Sequence, residues 1–416
     1  MTRYRWLILS LLFLVTTNNY LDRIVFSVLI PVIREDLHIS TEQYSYITGA
    51  FQFAYTIGFL FMGKLIDRYG TRIGYAVSIA WWSVAACMHA FVRVPLHLGF
   101  WRALLGLGES GNFPSAIKAV AEWFPRKDRA LATGIFNAGT NVASMIGPPM
   151  FVWMAATFGW RDCFLITGAA GFILVCVWWL VYRLPEAHPS VNREELAYIR
   201  SDAPSGPPPP PIGWVAALRF KQTWGFALAK FLTDPVWWFY LYWLPPYLYD
   251  VRKFKMLEVG WALPVVYLMA DVGSVGGGWL SGFLMRRGWP HHKARKTAML
   301  ICAGLMPVAA LSVLAPSPVL AIFLVGIATA SHQGMSANLF STTSDVFPRQ
   351  AIGSVTGFGG FLGGLGGVLF SALLPGYIVS HFGYTPVFLG MGLFHLTALL
   401  IVHKLMGRME QVQAGA

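Results

Sequence analysis

Charge is what this sequence has least of. Asp, Glu, Lys and Arg make up 12% of its 416 residues, 56% are hydrophobic and the mean hydropathy is +0.55. That is too little polar cover to coat a water-soluble protein of this length. Acid is scarcer than base, with 19 Asp and Glu against 31 Lys and Arg. Cysteine is rare too: Cys87, Cys163, Cys176 and Cys302 lie in or at the ends of apolar runs, without a CxxC or a histidine pattern beside them. This argues against a disulfide framework and against a bound metal. HExxH and GxSxG are both missing, so the sequence offers no zinc-peptidase or serine-hydrolase chemistry. What is left is an all-α membrane protein, with neither enzyme chemistry of these kinds nor a cofactor expected.

The apolar residues fall into twelve runs between residues 6 and 406, each near the length of about 20 residues that crosses a bilayer as a helix. The net charge of +12 invites a nucleic-acid reading, but the placement of the bases answers it. With the amino terminus taken as cytoplasmic, 21 of the 31 Lys and Arg fall in cytoplasmic segments, six in outer loops and four within spans. That is the positive-inside pattern. The bases orient the chain with both termini cytoplasmic, and no nucleic-acid partner is expected. The first run, which carries Asp22 and Arg23, is too long and too polar for a signal peptide and is read as a span.

Residues 184–222 form one long polar insertion containing the stiff run Pro207 to Pro211. It separates an amino-terminal six-helix bundle, 1–183, from a carboxy-terminal one, 223–416. The halves repeat: EWFPRKDRALATG, from Glu122, aligns with DVFPRQAIGSVTG, from Asp345, at an offset of 223. At that offset Glu109 falls on His332. Many secondary transporters are built from such repeats, with the substrate held near the midplane.

Two charges stand deep inside an apolar stretch, Arg102 and Glu109, seven residues apart and so on one helix face. An ionised group at mid-bilayer costs about 3 kcal/mol on insertion scales and is kept where it meets a partner, a cavity or a substrate. A structural ion pair to a neighbouring helix and a functional site are both open readings.

The turn GKLIDRYGTR, from Gly63 to Arg72, places Gly63, Asp67, Arg68, Gly70 and Arg72 at the loop spacing of the major facilitator superfamily. They are read as a conformational latch. The matching turn of the second half has Gly282 where an acid is common, which implies a weaker latch. NYLDR (19–23), GLGESGNFPSAIKAVAEWFP (106–125), TGIFNAGTNV (133–142), LTDPVWWFYLYWLP (232–245) and SHQGMSANLF (331–340) go further. Together they resemble the anion:cation symporter branch, and within it the bacterial hexuronate transporters. The likeness covers nearly the whole chain, with Met335 standing where an aromatic is usual. It implies a twelve-helix major facilitator fold in two pseudo-symmetric halves, in the bacterial cytoplasmic (inner) membrane. It also implies proton-coupled import of a sugar acid such as galacturonate or glucuronate. An aldonate is the alternative substrate. Export of drugs or cations is disfavoured, because two buried arginines present the wrong sign to a cation.

Under that resemblance the polar residues take roles. Asn19, Asp22 and Arg23 form one stripe on the first span, and Arg23 can hold a carboxylate through two parallel hydrogen bonds. It can equally pair with Asp22 or Glu109. Glu109, with Asp22 second, is the expected proton carrier. Arg102, Tyr55, Asn137, Asn141, Tyr240, Trp243, Ser331, His332, Gln333 and Asn338 are the candidates for contacting the sugar acid, although each neutral group can instead bridge helices. Lys118 and Lys230 are read as snorkelling to the interface. The arginines are expected to reach a central chamber open to solvent, in a monomer whose partners are the sugar acid and the lipid bilayer.

Overall fold

A computed structural model describes residues 2–201, 218–347 and 349–410; the Pro207 to Pro211 run lies outside the described residues. Every described regular element is a helix, the arrangement that leaves no backbone group unsatisfied in lipid. The chain divides into two compact units, Met1–Ile39 with Ala50–Pro208, and Ser40–Gly49 with Pro209–Ala416. The second helix therefore begins in the second unit and continues in the first.

The first unit contains α1 (Tyr4–Leu37), most of α2 (Thr41–Met88), α3 (Pro95–Glu109), α4 (Asn112–Trp123), α5 (Arg126–Phe158) and α6 (Trp160–Val181). The α2 run is broken at Gly70, whose φ of 80° is open to glycine and strained for other residues. α3 and α4 form one kinked rod. A stripe of glycines brings this rod onto α2: a Cβ on Gly106 would stand 2.4 Å from the Phe51 carbonyl, and one on Gly108 2.5 Å from the Trp81 ring. Close approach of this kind is what small residues permit in membrane helices. It sets Arg102 and Glu109 against α1 and α2.

A short helix outside the bundle, α7 (Arg193–Ile199), is capped by Asn192, whose side chain accepts from the Glu195 N–H at 2.9 Å. α7 grips the start of α1. The Glu195 carboxylate accepts from the backbone N–H groups of Tyr4 and Arg5, both at 3.1 Å, from the Thr2 hydroxyl and from the Arg5 guanidinium. Those N–H groups are among the amino-terminal donors that a helix cannot satisfy by itself. Desolvation pushes the Glu195 carboxyl up, but the bonds from Thr2, Arg5 and Tyr4 and the Arg5 charge outweigh it and hold the group below the usual glutamate value.

The second unit contains α8 (Lys221–Asp250), α9 (Met256–Arg286), α10 (His291–Leu305), α11 (Val308–Leu314), α12 (Pro318–Val346), α13 (Arg349–Gly366), α14 (Leu374–Phe382) and α15 (Thr385–Met406). A π-helical turn, Gly367–Leu373, joins α13 to α14. α9 and α12 meet backbone to backbone: a Cβ on Gly273 would lie 2.1 Å from the Ala330 carbonyl oxygen, and one on Gly277 2.4 Å from the Gly334 Cα. Asn338 locks this contact, its amide donating to the carbonyls of Gly277 at 2.8 Å and Gly334 at 2.9 Å.

On length and apolarity alone, six helical stretches among the described residues can cross a membrane, from Arg68–Phe91 to Thr385–Met406. α1, α3 and α8 lie outside that set, and they carry Asp22, Arg23, Arg102, Glu109, Lys230 and Asp234. Counting α2 as two rods and joining α3 to α4, α10 to α11 and α13 to α14, the described helices make six rods in each half of the chain.

Candidate functional site

In the first unit, four charged side chains gather where α3 meets α1. Asp22 and Arg23 are each 1% exposed, Arg102 and Glu109 fully buried. Arg23 donates from Nε at 3.0 Å and from Nη2 at 2.9 Å, both to Oε2 of Glu109. The other carboxylate oxygen, Oε1, is buried and accepts no hydrogen bond. Arg102 reaches back to the α1 backbone, toward the carbonyls of Asp22 at 3.5 Å and Arg23 at 3.4 Å. Asp22 accepts from the Asn18 amide at 2.7 Å.

Aromatic rings close over these charges. The Arg23 guanidinium carbon lies 4.3 Å from the Tyr55 ring centre and 4.8 Å from that of Tyr20, and Arg102 lies 4.4 Å from Phe51. Desolvated guanidinium–ring contacts of this kind are attractive, on the order of 2 kcal/mol. Neither arginine opens onto solvent, so the expectation of arginines reaching an open chamber is not met in this structure. The rings and the Glu109 carboxylate occupy the space around them. Of the two readings open for Arg23, the ion pair with Glu109 is the one seen.

Asn19 is fully buried on the same stripe of α1, and neither its Nδ2 nor its Oδ1 has a hydrogen-bond partner. Buried amides are nearly always satisfied, so this exception beside a charged cluster sets Asn19 apart from the other groups of α1. The sequence placed Asn19 on the stripe without giving it a role. Asn137 and Asn141 lie on α5, the first exposed and the second half-buried.

In the second unit the candidates divide. Trp243 donates its Nε1 to the Ser371 carbonyl at 2.8 Å, and Ser331 donates to the Ile327 carbonyl at 2.8 Å. Trp243 and Asn338 thus bond the backbone of neighbouring elements, and Ser331 bonds its own helix one turn back. Gln333 is half-buried. The Tyr240 hydroxyl is buried with no partner. His332 faces His395, Nδ1 to Nε2 at 3.1 Å, with the Trp237 ring stacked on it at 6.0 Å. Met335, the departure from the family pattern, is fully buried in a hydrophobic cluster with Phe226, Met299 and Leu339 and lines no opening.

Lys230 corrects the snorkelling expectation. It is 4% exposed, and its ammonium holds both oxygens of Asp234, at 3.0 and 2.8 Å, one helical turn along α8. The carboxylate fills a notch in α13, where a Cβ on Gly363 would stand 2.1 Å from it. Lys118 bonds the Ile66 carbonyl at 3.2 Å.

The turn residues are held from neighbouring helices. Arg72 donates to the Trp179 carbonyl at 2.7 Å and lies over the Trp179 ring, and the Trp178 indole donates to the Arg72 carbonyl. Arg68 is exposed, Gly63 faces open space, and the side chain of Asp67 lies outside the described residues. Glu122, which the sequence reading passed over, accepts from the Thr71 hydroxyl at 2.8 Å and from Tyr182. Its repeat counterpart Asp345 accepts from Arg295 at 3.0 Å, and Arg295 also bonds Ser281 across the matching turn. The offset that aligns the two sequences therefore aligns these two anchors, and the turn carrying Gly282 is held through Asp345.

Residues 12–371 match the model of the Major Facilitator Superfamily. The chain belongs to the major facilitator superfamily. It is a multi-pass membrane transporter and not an enzyme. It is 33% identical over 404 residues to a hexuronate transporter of Escherichia coli (strain K12), covering 96% of this chain and 93% of the relative. It is 29% identical over 422 residues to a D-galactonate transporter of Escherichia coli O6:H1, covering 99% and 97%. A galacturonate transporter of Dickeya chrysanthemi is 33% identical over 280 residues, 66% of this chain and 81% of the relative. Among solved structures, a D-xylose-proton symporter superposes with a TM-score of 0.77 at 14% identity, covering 98% of this chain and all of that one. This likeness shows the fold.

Proposed function

We propose that this transporter imports a sugar-acid monoanion, a hexuronate such as galacturonate or glucuronate, together with protons by alternating access. The observation that carries the reading is the Arg23–Glu109 pair, which leaves one carboxylate oxygen of Glu109 without a partner. A proton arriving on that oxygen weakens the hold on Arg23, and the freed guanidinium can take the carboxylate of the substrate in the same two-bonded manner. Asp22, Arg23, Arg102 and Glu109 sum to zero formal charge, so an added anion leaves an uncompensated charge that a proton restores. Asp22 is the second proton carrier. Asn19, on the same stripe of α1 as Arg23, offers a polar group to the sugar, and Tyr55 offers a ring face. The turn at Gly70 and its Arg72 contacts act as the latch.

The relatives named for hexuronate and galacturonate support the substrate class, and the galactonate relative favours an aldonate as the second reading. The distribution of Lys and Arg supports cytoplasmic termini, and the bacterial relatives support the cytoplasmic membrane. The protein is proposed to work as a monomer of two bundles, 1–183 and 223–416, joined by the 184–222 linker. One proton per anion is electroneutral and draws about 1.4 kcal/mol per pH unit. A second makes the cycle electrogenic, adding about 2.3 kcal/mol per 100 mV. The test is uptake of labelled galacturonate and galactonate into proteoliposomes with an imposed pH gradient. Accumulation that collapses with the gradient is expected, and accumulation indifferent to it would defeat the coupling.

A further inference from the structure

Away from the charged clusters, α10 and α15 line an open cavity of about 700 Å³ at the basic end of the second unit. Its rim carries His292, Lys293, Lys296, His403 and Arg408, with no acid among the lining residues. Its floor is apolar, formed by Leu300, Leu399 and Leu400, with Leu300 54% and Leu400 60% exposed. Leu300 lies one helical turn below Lys296, so cationic rim and apolar floor are about 5 Å apart.

The positive-inside pattern explains bases at this end of the helices, but not their lack of counter-charge. Several basic groups of this chain are paired with acids: Arg5 with Glu195, Arg200 with Glu186, and Arg295, on the same helix α10, with Asp345, which also meets His291. Among the described residues none of the five rim groups has one. Lys296 is half-buried, its ammonium donating to the Gly407 carbonyl, and desolvation lowers its pKa from the usual lysine value. A half-buried ammonium in an acid-free hollow is stabilised by an anion placed beside it.

A soluble anion would satisfy the rim and make no use of the leucines. A neutral lipid would cover the leucines and leave the rim uncompensated. We propose that the cavity binds an anionic phospholipid, its phosphodiester between Lys293, Lys296 and Arg408 and its acyl chains along Leu300, Leu399 and Leu400. Basic hollows between membrane helices take lipid headgroups in this way.

The test is native mass spectrometry and thermal unfolding of the full-length protein in mild detergent. The probes are phosphatidylglycerol, phosphatidylethanolamine and inorganic phosphate. Phosphatidylglycerol should remain bound and raise the melting temperature, and the other two should not. The combined Lys293→Gln, Lys296→Gln and Arg408→Gln variant should bind phosphatidylglycerol roughly a hundredfold more weakly. Lys293→Gln alone, at an exposed position that does not threaten folding, should weaken it roughly fivefold. Equal stabilisation by phosphatidylethanolamine would mean ordinary solvation by lipid, and stabilisation by inorganic phosphate a soluble-anion site. Either result, or an unchanged affinity in Lys293→Gln, overturns the proposal. None of these readouts involves transport, so the outcome is separate from that of the proposed function.

Discussion

Arg23 and Glu109 stand 86 residues apart and share a single oxygen, Oε2, through two N–H donors of the arginine. The bond is geometrically asymmetric: one side of the carboxylate is saturated and the other empty. Glu109→Gln keeps the shape and removes the charge and the titration. It should preserve exchange of substrate across the membrane while abolishing pH-driven accumulation, a loss of about tenfold per pH unit of gradient for one coupled proton. Counterflow and gradient-driven uptake measured on the same proteoliposomes check this. In the same assay Arg23→Lys should fail nearly as badly as Arg23→Ala, because an ammonium cannot present two parallel donors.

Asn19 separates a structural from a functional role. A fully buried amide without partners costs stability, so Asn19→Leu should leave the melting temperature of the substrate-free protein unchanged or raise it. If the amide serves the guest, the same variant should lose substrate-induced thermal stabilisation. A melting curve with and without galacturonate reads both.

The Lys230–Asp234 pair on α8 is neutral as a whole, its lysine buried and its aspartate half-buried. Removing one partner strands the other, so Lys230→Met should destabilise by about 3–5 kcal/mol. Adding Asp234→Asn should restore most of the loss, because no buried charge then remains. Unfolding of the two variants in detergent, compared with the parent, tests the pair as a unit.

Glu195 gives a pH signature outside the membrane. Its carboxyl titrates lower in the folded protein than in the unfolded chain, so its contribution is fully present above the unfolded glutamate value. It is lost as pH falls through the folded value. Stability measured downward from pH 6 should therefore fall in the parent more than in Glu195→Gln, which should be less stable at neutral pH and flatter in acid.

The fold was legible because lipid imposes a length on each helix and the repeat marks its own period. The charges of the first unit were legible as well, since Asp22, Arg23, Arg102 and Glu109 have no other reason to stand in apolar runs. Their partners were not. Spacing along a helix tells which residues share a face, and it is silent about what lies opposite that face. Lys230 shows the complementary difficulty: the i, i+4 acid was in plain view, but a lysine near the end of a span reads equally well as reaching for the interface. Glu122 and Asp345 were aligned by the repeat, and only coordinates reveal that alignment as a shared task. Trp243 and Asn338 look like ligand groups in sequence because nothing there shows that backbone carbonyls already hold them.

At Gly273 and Gly277 no side chain stands between α9 and α12, and the Asn338 amide rivets one main chain to the other. Two rods in that condition have no lubricating layer along which to slip. Any motion of one must be copied by its neighbour, so these two helices form a stiff spar, and flexing within the second unit is left to its other members.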